Sequence, residues 1–151
     1  MRANLGQIYD KTVTVINRLD AKDGGTQYDT FYACVIPNVM WSLVTTRTVD
    51  TNGTVTIGTS HRVQIPENEQ YHPYKEWATN PGEGFTISTG DYVVLGEVSE
   101  EITASNIRKV IAKYEPDAFQ VQSFRNATKG DGFTHSTRGI RRFIEPYIIE
   151  G

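Results

Sequence analysis

The sequence predicts a mainly β fold: a small antiparallel β-barrel or sandwich of about eight strands, with one α-helix laid across an end or face. Three observations predict it. Apolar and polar residues alternate in run after run, the period of strands with one buried face. Gly, Pro, Asn and Asp, the residues of turns, recur between those runs. Only one stretch, at about 103–114, carries apolar residues at helical spacing.

Residues 12–19, TVTVINRL, place Val13, Val15 and Leu19 on one side and Thr12, Thr14 and Arg18 on the other, as a half-buried strand requires. The turn cluster DAKDGG at 20–25 returns the chain into QYDTFYACVI and makes a first hairpin. Pro37-Asn38 reads as a break, because proline cannot donate to a sheet ladder. VMWSLVTTRTV then sets Val39, Trp41 and Leu43 on one face. DTNG at 50–53 supplies a turn whose Asn52-Gly53 pair suits positive φ angles, and TVTIGTSHRVQIP alternates Val55, Ile57, Val63 and Ile65 with polar neighbours. A long 43–62 hairpin results.

Residues 67–84, ENEQYHPYKEWATNPGEG, keep no period and read as a long surface loop with one helical turn at Tyr74 to Thr79. Gly90-Asp91 reads as a hairpin turn feeding a central strand, Tyr92 to Val98. In SNIRKVIAKYEPD, Ile107, Val110, Ile111 and Tyr114 recur at i, i+3, i+4 and i+7. Thr103 or Ser105 is placed to cap that helix, and Pro116 to end it. FQVQSF follows as a strand, NATKGDGFTHSTRG as a polar loop, and IRRFIEPYII as a closing strand that Pro146 marks as an edge or bulge. The whole is one domain, 1–151, with arms at both ends and a surface loop at 67–84.

Composition narrows the function classes. A net charge of -3 leaves no basic footprint for nucleic acid as the main ligand. The single cysteine, Cys34, makes an internal disulfide framework impossible, and its apolar run predicts a buried thiol. No apolar run reaches about 18 residues and no apolar leader opens the chain, so a protein of the cytoplasm is expected, without a membrane span or secretory signal. The Asn-x-Thr triplets at Asn52 and Asn126 then carry no glycosylation message.

Glu97, Glu100 and Glu101 invite a catalytic reading, as a pair of acids facing one cleft. Their place ahead of a helix N-terminus explains them more simply, since its dipole favours acids there by about 0.3–1 kcal/mol each. His61, His72 and His135 have no metal-ligand spacing. Gly130, Gly132 and Gly139 lack the strand-then-helix setting of a phosphate loop and read as an inter-strand loop. No nucleophile elbow is present. No catalytic, metal or cofactor residue is therefore assigned.

Contact surface is what remains. Tyr71, Tyr74 and Trp77 lie in one loop, where aromatic side chains offer large area at low entropy cost, unless they fold back to cap the sheet. The 43–62 hairpin is Thr/Val-rich, with Arg47, Asp50 and Arg62 as its charges and Asn52 at its turn. As a free edge it is an aggregation hazard, so a neighbouring subunit or the chain's own helix is expected to cover it.

The ordered landmarks are Trp41, then Val63-Gln64-Ile65-Pro66, then Gly90-Asp91-Tyr92-Val93-Val94-Leu95-Gly96-Glu97-Val98 with Glu101-Ile102-Thr103, and finally Lys113-Tyr114. In this order and spacing, over residues 12–125, the chain resembles the small minor structural proteins of the head-to-tail connection of tailed bacteriophages. The resemblance implies a β-barrel neck component of head-closure or connector type. It would form a homo-oligomeric ring, on the order of six or twelve copies, between portal or adaptor and tail proteins. It would sit in the virion neck around the DNA path, without catalytic residues. A tail-terminator or baseplate subunit is the alternative within that class. A carbohydrate- or ligand-binding β-module with exposed Trp and Tyr, and a small hydrolase using Glu97 to Glu101, are the alternatives of other classes.

Overall fold

The structure is a computed structural model and describes residues 9–126 and 147–151. Its elements in chain order are β1 (Lys11–Leu19), α1 (Ala21–Gly24), β2 (Thr30–Val49), β3 (Val55–Ile65), α2 (Tyr74–Thr79), β4 (Tyr92–Leu95), α3 (Ile107–Tyr114), β5 (Ala118–Gln120), β6 (Ser123–Asn126) and β7 (Tyr147–Glu150). The strands form one curled antiparallel sheet, a half-barrel, in the order β5-β4-β1-β2-β3-β7-β6. The mainly β reading holds. Among the described residues there are seven strands and three short helices, against the expected eight or so strands and single helix.

The difference starts at Pro37-Asn38. These residues do not break the chain; they form a bulge inside one 20-residue strand. Lys11 pairs with Val39 and Val13 with Ile36, so Pro37 and Asn38 together face the single residue Thr12. Asn38 adopts a φ of 60°, which Asn tolerates better than other non-Gly residues. A bulge also bends its strand. Before it β2 pairs with β1, and after it with β3, so the sheet curls at this point. The expected FQVQSF strand is likewise divided, into β5 and β6. Val121 N donates to Asp91 O and Gln122 N to Glu150 O, carrying the chain from β4 across to β7 within two residues.

The main core fills the inside of the curl with Val13, Val15, Ile36, Val63, Phe85, Val93, Phe119 and Ile149, among others. A second cluster, Ile16, Val94, Ile107, Ile111 and Ala118, lies on the outer face beneath α3. β1 and β4 are therefore covered on both faces, and the half-buried reading of β1 is corrected. Thr14, expected outside, is fully buried, and its hydroxyl donates to Gly96 O (2.7 Å) and accepts from Val98 N (3.2 Å).

α3 starts at Ile107, not near 103, and neither expected hydroxyl caps it. Thr103 and Ser105 bond each other instead (2.9 Å), inside a turn closed by Thr103 N donating to Asn106 Oδ1. An isolated helix of eight residues is unstable in water, so its apolar face on the sheet supplies what holds it. Its end matches expectation, because Glu115 turns extended ahead of Pro116. β4 stops at Leu95, and Gly90-Asp91 is not a hairpin turn: the partners of β4 are β1 and β5, not the residues before it. Residues 1–8 and 127–146, which take in the expected N-terminal arm, most of the C-terminal one, His135, the glycines at 130, 132 and 139 and the 140–146 part of the closing strand, lie outside the described residues.

Candidate functional site

The 43–62 hairpin forms as expected, pairing from Met40 with Gln64 to Val49 with Val55. Its turn is tied by Asp50, whose Oδ1 accepts from both Asn52 N and Thr54 N at 2.8 Å. Gly53 takes the positive φ, 83°, and Asn52 does not. At the base Trp41, His61 and Phe119 pack ring to ring, with His61 and Phe119 stacked at 5.2 Å between centroids. Beyond that base the ribbon leaves the body, extending roughly 20 Å from Leu43 to its turn at strand rise.

Register decides which side chains share a face. Leu43, Arg47 and Val49 alternate onto the same face as their cross-strand partners His61, Ile57 and Val55. That face continues the core-facing side of Trp41 and Val63, yet beyond the His61–Phe119 stack no described residue is seen to cover it. Leu43 is 62% exposed, Val49 57%, Val55 44% and Ile57 66%. Arg47 stands among them, with no carboxylate within ion-pair distance among the described residues. Arg62, at the base, is already engaged: its Nε donates to Glu150 Oε2 at 2.6 Å, holding β3 to β7.

The aromatic loop folds back. Trp77 is 1% exposed and packs edge-on against Tyr32 (5.6 Å), so the capping alternative applies to it. Tyr71 joins Phe85, Phe124 and Tyr147, the last at 4.5 Å. Tyr74 is half-buried, its hydroxyl donating to Asp23 Oδ2 (2.8 Å) and accepting from Asp20 N (3.2 Å), which ties α2 to α1. These three aromatics act first as the loop's own anchors. The long surface loop is a packed cover over the curl.

The three glutamates do not converge. Glu97 and Glu101 are exposed, whereas Glu100 accepts from Lys113 Nζ (2.7 Å) and Tyr114 Oη (2.6 Å). Those hydrogen bonds, Lys113 first, hold the Glu100 carboxyl down to about 2. Glu100 fastens the link before α3 onto the helix end. Asp91, read from sequence as a turn residue, is the buried acid: Oδ2 accepts from Asn17 Nδ2 and Ser88 N (both 2.9 Å), and Oδ1 from Arg18 N (3.1 Å). Burial pushes its carboxyl above the ordinary value, against the pull of those donors. The signal for it lay in Asn17, which shares the apolar parity of Val13, Val15 and Leu19, and a buried amide needs polar partners.

A groove of about 990 Å³ opens between residues 26–33 and 100–105, floored by Phe31, Ala33 and Ile102. Its lining holds three carboxylates, Asp29, Glu100 and Glu101, and no basic side chain. Asp29 leans on Arg18 (3.5 Å) and Glu100 on Lys113, which leaves Glu101 as the carboxylate without a cation beside it among the described residues. Sequence reasoning did not find this groove, because it joins segments some 70 residues apart. Cys34 is half-buried, and burial raises its thiol above the ordinary value, against a reactive role. Among the described residues no three His, Cys, Asp or Glu side chains come together as a metal site, and no helix is long and apolar enough to cross a membrane.

The chain belongs to a family of unknown function, DUF6751, whose model matches residues 8–137. No curated protein and no solved structure matches it.

Proposed function

We propose that this chain is a non-enzymatic structural subunit that assembles with copies of itself through the projecting ribbon. One observation carries the reading: a two-stranded ribbon with Leu43, Val49, Val55 and Ile57 on a single bare face. An isolated two-stranded hairpin is marginal in water, and a bare apolar edge invites pairing. A chain that keeps such a ribbon has a partner for it. The specific setting we propose is the neck of a tailed-phage virion, as a head-closure or connector ring between portal or adaptor and tail. Support for that setting is the ordered set of motifs from Trp41 through Val63-Gln64-Ile65-Pro66 and Gly90 to Val98 to Lys113-Tyr114. An overall charge of -3 suits a subunit that lets DNA pass without holding it. A tail-terminator or baseplate position would use the same ribbon. A carbohydrate platform has less support, since Trp77 is buried and Trp41 packs against His61 and Phe119 of its own subunit.

The test is a chain in which residues 45–59 are replaced by a two-residue Asn-Gly turn, which keeps Val44 opposite Ser60. It should fold with an unchanged body, remain monomeric, and fail to complete portal-bearing particles that the full chain completes as rings visible by cryo-EM. Equal assembly by the shortened chain sinks the reading.

A further inference from the structure

The ribbon has a candidate receptor on the same molecule. β2 pairs with β1 through Thr30 to Ile36 and with β3 only from Met40 onward, so the other edge of its first half is open among the described residues. Ladder phase tells which groups that edge presents. Gly96 N donates to Thr12 O and Arg18 N to Asp91, so the even-numbered residues of β1 bond away from β2 and its odd-numbered ones bond toward it. Thr30, Tyr32, Cys34 and Ile36 thus turn their backbone groups to β1. Phe31, Ala33 and Val35 turn theirs outward, where no partner for them is present among the described residues. The open edge, TFYACVIPN, carries no charge to discourage pairing.

A matching edge lies on the ribbon. β7 reaches only Arg62 to Ile65, and Gly151 bonds His61, so among the described residues the outer edge of β3 from Val55 to Ser60 is likewise open, and it is uncharged. Beside the β2 edge lies the groove floored by Phe31, Ala33 and Ile102, with Glu101 on its rim. On the ribbon's bare face stands Arg47, opposite Ile57.

We propose that the open edge of β2 at Phe31, Ala33 and Val35 receives the β3 edge of the ribbon from a second copy of this chain. The ribbon's apolar face then covers the groove, and Arg47 meets Glu101. This inference rests on the reading of the ribbon as an assembly arm and names the surface that receives it. Strand addition supplies the backbone partners, the groove accepts Val55 and Ile57, and the single charge pair fixes orientation. Donor and receptor are different surfaces, so the contact is heterologous and propagates from copy to copy, closing into a ring where the rotation permits.

The test uses the full chain and a fluorescent, end-cyclised peptide of residues 43–61. Anisotropy should show saturable binding. Glu101→Arg should weaken it about tenfold by setting two cations together, and a peptide carrying Arg47→Glu should restore binding to that variant. Ala33→Pro removes one outward N–H and should abolish binding, with an unchanged circular dichroism spectrum showing that the variant is folded. No saturable binding, or binding indifferent to both Glu101→Arg and Ala33→Pro, overturns the proposal. If those variants still complete particles while the ribbon-shortened chain does not, the assembly reading stands and this receptor is wrong. If the shortened chain also completes them, both fall.

Discussion

Asp91 is the residue on which the corner before β4 depends. Its two carboxylate oxygens take donors from Asn17, Arg18 and Ser88, while Asn17 also bridges to Thr86 through both ends of its amide. Asp91→Ala strands those donors in a buried place, where each unpaired group costs about 1–3 kcal/mol. The variant should lose about 3 kcal/mol or more, read as a fall in Tm of roughly 6–12 °C. Glu100 acts at the surface with the opposite pH sense from Asp91. Its carboxyl is held down to about 2, so its contribution is complete above the ordinary glutamate value and is lost as pH falls toward 2. Asp91, raised by burial, favours the folded state below its ordinary value, and that contribution is lost as pH rises through the raised one. Melting wild type beside Glu100→Gln should therefore show wild type a little more stable at neutral pH, with the gap closing between about pH 4.5 and 2. A gap that persists at pH 2 would exclude this role for Glu100. Neither role was read from the sequence, because an acid beside a glycine or ahead of a helix has an ordinary explanation. Asn17 was the visible clue.

At the scale of elements, the loop over the curl is held by a backbone crossing as well as by rings. Phe85 N donates to Gln70 O and His72 N to Phe85 O, a bridge that brings Gly84 hard against Gln70. Gly84 has a φ of +73°, and a Cβ there would collide with the Gln70 carbonyl. Gly84→Ala should cost about 2–4 kcal/mol, combining left-handed strain with the lost bridge. The expected readouts are a Tm lower by roughly 5–15 °C and faster proteolysis at residues 67–84. Elements with strong local periods were legible: β1, the 43–62 hairpin and the face of α3 follow from alternation and spacing. β2 was misread at Pro37 because two explanations of proline in a strand, end and bulge, look alike until the partner's register is known. Whether Tyr71 and Trp77 face a partner or cap the sheet stayed open for a related reason. Nothing local tells whether an aromatic in an irregular loop faces water or Tyr32 and Tyr147, residues distant in the chain.

For the whole molecule, the mainly β class was legible and the curl was not, since closure depends on where β2 and the β5–β6 segment bend. Stability should follow the same geography. β1 and β4 have partners on both edges and cover on both faces, whereas among the described residues the ribbon beyond Leu43 has only its own cross-strand bonds. Its amides are open to local unfolding because, among the described residues, neither a neighbouring strand nor a packed face opposes it. In dilute solution, hydrogen exchange read by mass spectrometry should label residues 43–59 far faster than 13–16 and 92–95. At concentrations or on particles where copies assemble, the ribbon should slow together with residues 30–36, because one copy's β3 edge and the next copy's β2 edge become a single ladder. Protection of the ribbon without residues 30–36 would point its partner elsewhere. Slow exchange of the ribbon in the dilute chain would mean that it is already covered, and would remove the physical reason for a second copy.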